Sequence, residues 1–161
     1  TFNPRRWVFY RTVDKIVRTY RVLADNRKVK IVFRGGSVAN AWIDDRTIHI
    51  IPSAFIDNAV KYSPPGGTVE VTVADEVRDG KAMIGLRVRS EGPPATAEEE
   101  RMLFRQRGRG KEAKGIAEGS GVGLSLARVV SDQHGGTIGV EQRQLTANRS
   151  EWVFVFYIAV C

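Results

Sequence analysis

The 161-residue sequence has a single cysteine, Cys161, so it holds neither an internal disulfide framework nor a cysteine-based zinc site, and it fits a reducing compartment. A long hydrophobic run is also missing. The longest, from Trp152 to Val160, falls well short of the roughly 20 apolar residues a bilayer span needs and reads as a buried strand. No charged, apolar and small-residue order of a signal peptide precedes it, and the chain opens on Thr1, so it reads as a domain excised from a longer protein. Acidic residues are comparatively scarce: 25 Lys+Arg against 18 Asp+Glu leave a net charge of +7, which favours anionic partners such as nucleic acid, acidic surfaces or phosphorylated small molecules. No nucleic-acid motif accompanies that charge, and nucleic acid is not the expected partner. What is present, 42% hydrophobic and 27% charged residues, describes one globular domain.

Apolar residues at spacings of three and four from Tyr10 to Leu23 predict an amphipathic helix ending near Asn26. Residues Lys28 to Arg34 and Val38 to Ile43 alternate around Gly35 and Gly36 and read as a hairpin. Asp44 or Asp45 is a candidate N-cap for a second helix, which runs to about Tyr62 with Pro52 in its early turns. After the break SPPGG, Thr68 to Ala74 and Ala82 to Val88 form a second hairpin around DEVRDG. A glycine-rich, charged stretch from Glu91 to Gly121 contains a short helix near Glu98 to Phe104 and otherwise reads as a functional loop. A helix over Val122 to Gln133 and strands over Thr137 to Arg143 and Trp152 to Val160 complete the chain. This order predicts an α+β class fold, a two-layer sandwich with helices on one face of a mainly antiparallel sheet.

Two segments carry chemistry. In GSGVGL, Gly119 to Leu124, glycines at alternate positions let the backbone approach a ligand. The helix that follows presents unpaired N–H groups suited to phosphate. The P-loop pattern is absent, and the dinucleotide fingerprint fails because Leu124 stands where a third glycine belongs. In DNAVKYS, Asp57 to Ser63, a helix puts Asn58 and Lys61 three residues apart on one face. An amide oxygen that can ligate Mg²⁺ beside an ammonium that can meet phosphate suits a metal-nucleotide.

Taken together, these segments resemble the ATP-binding catalytic domain of sensor histidine kinases, in the superfamily of gyrase, Hsp90 and MutL. DNAVKYSPPGGTVEV resembles the N-box, LRVRSEGPP the first glycine box, MLFRQRGRG the F-box region and GSGVGLSLARVVSDQHGGTIGV the second glycine box with its helix. Order and spacing match over roughly Tyr10 to Tyr157. The resemblance implies a Bergerat-type sandwich over residues 1–161, with residues 91–121 as a nucleotide lid and Mg-ATP bound between lid and N-box helix. On this resemblance Asn58 would hold Mg²⁺, Lys61 would meet the phosphates and Tyr62 would line the nucleotide. Gly119, Gly121, Gly123 and Leu124 would offer backbone amides to phosphate, and Gly92 would let the chain pass close to adenine. Arg107 and Arg109 are candidate phosphate contacts by charge and place.

The sequence departs from the family at three positions. Ser90 stands where an adenine-recognising Asp is usual, with Glu91 or a water as substitutes. Ala54 replaces a second N-box Asn, and Ile50 replaces the acid or His a further turn back. Metal coordination is therefore expected to be thinner than usual. Neither His49 nor His134 sits in a phosphoacceptor context, so the γ-phosphoryl acceptor is expected on a separate dimerisation domain, with a response regulator downstream and a cytoplasmic location. The competing expectation, supported by Ser90 and Ala54, is a degenerate nucleotide-sensing or partner-binding module of the same fold.

Overall fold

The computed structural model describes residues 1–105 and 121–161. Strand β1 (Arg5–Val8) leads into helix α1 (Phe9–Asn26), then β2 (Lys30–Gly35), β3 (Asn40–Ile43), α2 (Ile50–Tyr62), β4 (Thr68–Arg78), β5 (Lys81–Gly92), α3 (Ala97–Arg101), α4 (Gly121–Gln133), β6 (Thr137–Thr146) and β7 (Arg149–Ala159). The main sheet runs β2-β4-β5-β7-β6, and its three central and distal pairings are antiparallel. This is the expected α+β sandwich.

The expected hairpin of β2 with β3 does not form. β2 instead pairs in parallel with β4, Lys30 opposite Thr68, and β3 pairs with β1 in a separate two-stranded ribbon. Local alternation defined the two strands correctly but carries no information about which partner each takes, and the short β1 was not anticipated at all. The second hairpin is longer than expected. Asp79 and Gly80 both have positive φ, 52° and 75°, giving a tight turn matched to the twist of β4 and β5.

α1 buries Phe9, Val13, Val17 and Ala24, the stripe its periodicity announced. α2 is different in kind, with Ile51, Phe55, Ile56, Ala59 and Val60 all buried, so it lies between its neighbours. The helix starts at Ile50 without a side-chain cap, and Pro52 occupies its first turn, where a missing N–H costs little. Asp44 closes the preceding turn instead: its carboxylate accepts from the Arg46 N–H at 3.0 Å, and its carbonyl accepts from Thr47 and Ile48.

At that turn, far from the glycine boxes, the structure ties three segments together. Asp44 also accepts from the Asn3 N–H at 2.9 Å and from the Arg46 guanidinium at 2.8 Å. The guanidinium first, and the Asn3 N–H next, hold its carboxyl well below the usual carboxylate range. His134, just past α4, accepts from the Asp44 N–H through Nε2 at 3.0 Å, so its Nδ1 carries the proton donated to the Val130 carbonyl at 2.8 Å. Both ring nitrogens of His134 are therefore committed to the fold. His49, by contrast, is exposed.

The helix-facing side of the sheet is apolar, with Val69, Val71, Ile84, Leu86, Phe154 and Phe156 buried. On the opposite face Tyr157 lies over Gly85, where a Cβ would meet the ring at 2.9 Å, and the Arg78 guanidinium covers the ring at 3.8 Å from its centroid. No described helix is long and apolar enough to cross a membrane.

Candidate functional site

At one end of the sandwich β5, β7 and α2 converge on a pocket that is open at its mouth. Asn58, Ala59 and Tyr62 contribute one wall. Ser90, Glu91 and Gly92 at the end of β5, with Pro93 and Pro94, supply another, and Leu103, Trp152 and Phe154 complete the lining. The surface is mainly apolar and aromatic, with two polar side chains set into it.

Those two are what distinguish the site. Asn58 is 8% exposed and Ser90 is 4% exposed. Neither side chain makes a hydrogen bond among the described residues. The enclosed side-chain atoms without a partner among the described residues are Thr47 Oγ1 and Ser131 Oγ, whereas the Asn58 amide and the Ser90 hydroxyl border the pocket, where a ligand's polar groups can meet them. Asn58 is buried because α2 is packed on nearly every side. Ser90 is buried because the pleat of β5 turns alternate residues, Leu86, Val88 and Ser90, toward the helices.

The same alternation removes Glu91 as a substitute for the missing Asp. Its side chain is turned to the other face, where it pairs with Arg149 at 3.5 Å. Beside it Glu151 pairs with Arg89 at 2.5 Å and Arg143 at 3.3 Å. Arg89 first among these holds the Glu151 carboxyl below its ordinary value.

Gly92 sits where a Cβ would come within 3.3 Å of the Tyr62 carbonyl oxygen and 3.6 Å of Trp152. The close approach that needs glycine here is between β5 and α2, which brings the pocket walls together. Lys61 is not among the pocket residues: its Nζ pairs with Asp57 at 3.1 Å on the same helix. Asp57 in turn lies near α1, where burial first and the Asp57 charge second push the Tyr20 phenol up.

α4 packs against α2, and a Cβ on Gly123 would meet the Ala54 Cβ at 3.8 Å. The second glycine box therefore begins beside the N-box helix. Gly121 opens α4, and Leu124 is fully buried, anchoring the first turn. Arg107, Arg109 and Gly119 lie outside the described residues. Sequence reasoning missed Ala59, Leu103, Trp152 and Phe154 as lining residues. The two aromatics belong to the apolar run read only as a strand, although its period-two alternation does set both on one face.

The hydroxyl, the amide and the aromatic walls suit a flat heterocycle, and the amide oxygen of Asn58 is a donor type that suits Mg²⁺ carried by phosphates. Residues 43–159 match the model of the histidine kinase-, DNA gyrase B- and HSP90-like ATPase family. The adaptive-response sensory kinase SasA of Synechococcus sp. (strain CC9311) is 31% identical over 140 residues, which is 86% of this chain and 36% of that protein. The chain thus spans little more than a third of the relative's length. Among solved structures, the nucleotide-free catalytic domain of the histidine kinase ThkA superposes with a TM-score of 0.79 at 19% identity, covering 98% of this chain and 96% of that one. Full-length ShkA in complex with AMPPNP superposes at 0.71 and 19% identity, covering all of this chain and 33% of that one. On the matched length, the chain belongs to the histidine kinase-, DNA gyrase B- and HSP90-like ATPase family.

Proposed function

We propose that this chain binds Mg-ATP in the pocket between α2 and the ends of β5 and β7, and positions the γ-phosphoryl for transfer to a histidine on a separate dimerisation domain in two-component signalling. The observation that carries the reading is the pair of polar side chains, Asn58 and Ser90, that line an aromatic pocket with no hydrogen-bond partner among the described residues. Asn58 is the residue that would hold the metal, whose chemistry is to neutralise phosphate charge. Tyr62 and Trp152 line the space for the base, and Ser90 offers the hydroxyl that meets its edge. The first turn of α4, at Gly121, Gly123 and Leu124, offers backbone N–H groups to phosphate. Lys61 reaches phosphate by leaving Asp57, at small cost, because a helical i,i+4 pair contributes only about 0.3–0.5 kcal/mol. Arg107, Arg109 and Gly119 enter on the resemblance, as does the role of residues 91–121 as the lid.

Transfer makes a phosphorus–nitrogen bond to the incoming imidazole and breaks the bond to the departing ADP oxygen, and its catalysis is chiefly positioning and charge stabilisation. His134 is unsuited as acceptor because both its nitrogens are engaged. The response regulator is the downstream partner, and the domain works on the cytoplasmic side. Incubation with γ-labelled ATP tests this: the chain alone is expected to bind ATP without acquiring acid-labile phosphate, and to label a phosphoacceptor domain supplied in trans. Stoichiometric labelling of the chain itself would overturn it.

The second reading, a module that keeps the fold without transferring phosphate, is favoured by Ser90 and Ala54, which replace a carboxylate and an amide. Binding of ATP with no transfer to any supplied acceptor domain would support it.

A further inference from the structure

The pocket wall made by Pro93 and Pro94 is a loop that cannot hold itself in the sheet, because proline has no N–H to give a ladder. Two side chains from the β6–β7 hairpin hold it instead. The Trp152 indole N–H donates to the Pro93 carbonyl at 3.0 Å. Gln142, opposite Trp152 in the β6–β7 register, uses its whole amide. Its Oε1 accepts from the Ala95 N–H at 2.9 Å and from the Ser150 hydroxyl at 2.7 Å. Its Nε2 donates to the Ala95 carbonyl and to Glu100 Oε1, both at 3.0 Å. The amide thus meets Ala95 as a neighbouring strand would, with one N–H and one C=O side by side, and its two donors and two acceptor sites are filled. Ser150, fully buried, fixes the amide from below, and α3, held by the Thr96–Glu99 capping box, fixes it through Glu100.

We infer that Gln142 is a positioning residue for nucleotide binding. By pinning Ala95 it sets the distance between the Pro93–Pro94 wall and Asn58 and Tyr62 on α2, and so the width of the cleft that takes the flat base. The inference rests on the nucleotide reading above.

The test is titration of this chain with Mg²⁺ and a non-hydrolysable ATP analogue, for wild type, Gln142→Ala and Gln142→Glu, with thermal unfolding measured in parallel. Gln142→Ala removes two hydrogen bonds to the wall and is expected to raise Kd about five- to tenfold. Gln142→Glu keeps the shape but cannot donate while ionised, so it is expected to bind as weakly as the alanine variant at neutral pH. Toward acid it should regain affinity relative to wild type at the same pH, because a protonated carboxyl again offers a donor beside an acceptor. Glu100, the ionisable side chain the amide reaches, raises the pH of that recovery by like-charge repulsion. A folded Gln142→Ala protein that binds within twofold of wild type overturns the inference. Gln142→Glu without acid recovery overturns it as well, and decides the matter if the alanine variant does not fold. Failure of the wild type to bind would instead sink the nucleotide reading, and this inference with it.

Discussion

Two of the regions that bury polar side chains treat them in opposite ways. At the turn before α2, Asp44 is 1% exposed, and its carboxylate collects the Asn3 and Arg46 N–H groups and the Arg46 guanidinium, while His134 spends both nitrogens. In the pocket, Asn58 and Ser90 are almost as deeply placed and have no side-chain partner among the described residues. A satisfied polar cluster holds the chain in one arrangement. One that borders an open pocket keeps donors and acceptors that a ligand can meet. Burial alone does not separate structure from function here, and neither does a missing partner, since Thr47 Oγ1 and Ser131 Oγ are enclosed and unpaired away from the pocket; what marks Asn58 and Ser90 is that they line it.

The sharpest way to break that contrast is Asn58→Ala. It should weaken Mg-ATP binding by at least ten- to roughly a hundredfold, the scale of a lost hydrogen bond to a charged ligand, while leaving thermal stability near wild type. Calorimetry paired with a melting curve checks both, and unchanged affinity would mean the metal lies elsewhere. Ser90→Asp comes next. A carboxylate accepting from the adenine amino group should tighten ATP about five- to thirtyfold over the neutral hydroxyl and widen its preference over GTP. Titration with both nucleotides reads this directly, and weaker ATP binding would show that Ser90 does not face the base.

Asp44→Asn should do the converse, changing stability and sparing the ligand. Because the Asp44 carboxyl is held below its unfolded value, its contribution is fully present above about pH 4 and is lost as pH falls toward the folded value. Wild type should therefore lose unfolding free energy on acidification below about pH 4 by more than Asp44→Asn does, with nucleotide affinity at neutral pH within about twofold in both. Denaturant melts across pH measure it, and parallel acid profiles would refute it. The smallest effect is expected for Glu91→Gln. Its partner Arg149 is about half exposed, and pairs of this kind are worth about 0–1 kcal/mol, so neither melting nor ATP titration should move appreciably. A large loss of ATP affinity would return Glu91 to the base site from which the strand pleat excludes it.

Sequence alone conveyed most of the elements and the identity of the two box motifs, because periodicity and glycine spacing are local properties. It conveyed pairing poorly: β2 and β3 alternate like a hairpin, yet their partners lie elsewhere in the chain. For the site, Asn58, Tyr62, Ser90 and Gly92 were legible from their motifs and meet in one pocket. Trp152 and Gln142 were not, since their roles depend on a register across two strands and on a loop from another part of the chain. Lys61 was legible as a charge near phosphate, but not as one engaged by Asp57, a competition visible only once helix geometry is fixed.

The parallel pairing of β2 with β4 bears on the order in which the chain assembles. The hairpins β4–β5 and β6–β7 close over tight connections and can form early, at little loop-closure cost. β2 must wait, since Lys30 meets Thr68 only after β3 and α2 have been laid between them. The α1–β2 end is thus the late-joining and first-leaving part of the molecule. Under mild denaturant, exchange of the β2 amides should precede that of β5 and β7, leaving the strands that carry Ser90 and Trp152 among the last to open.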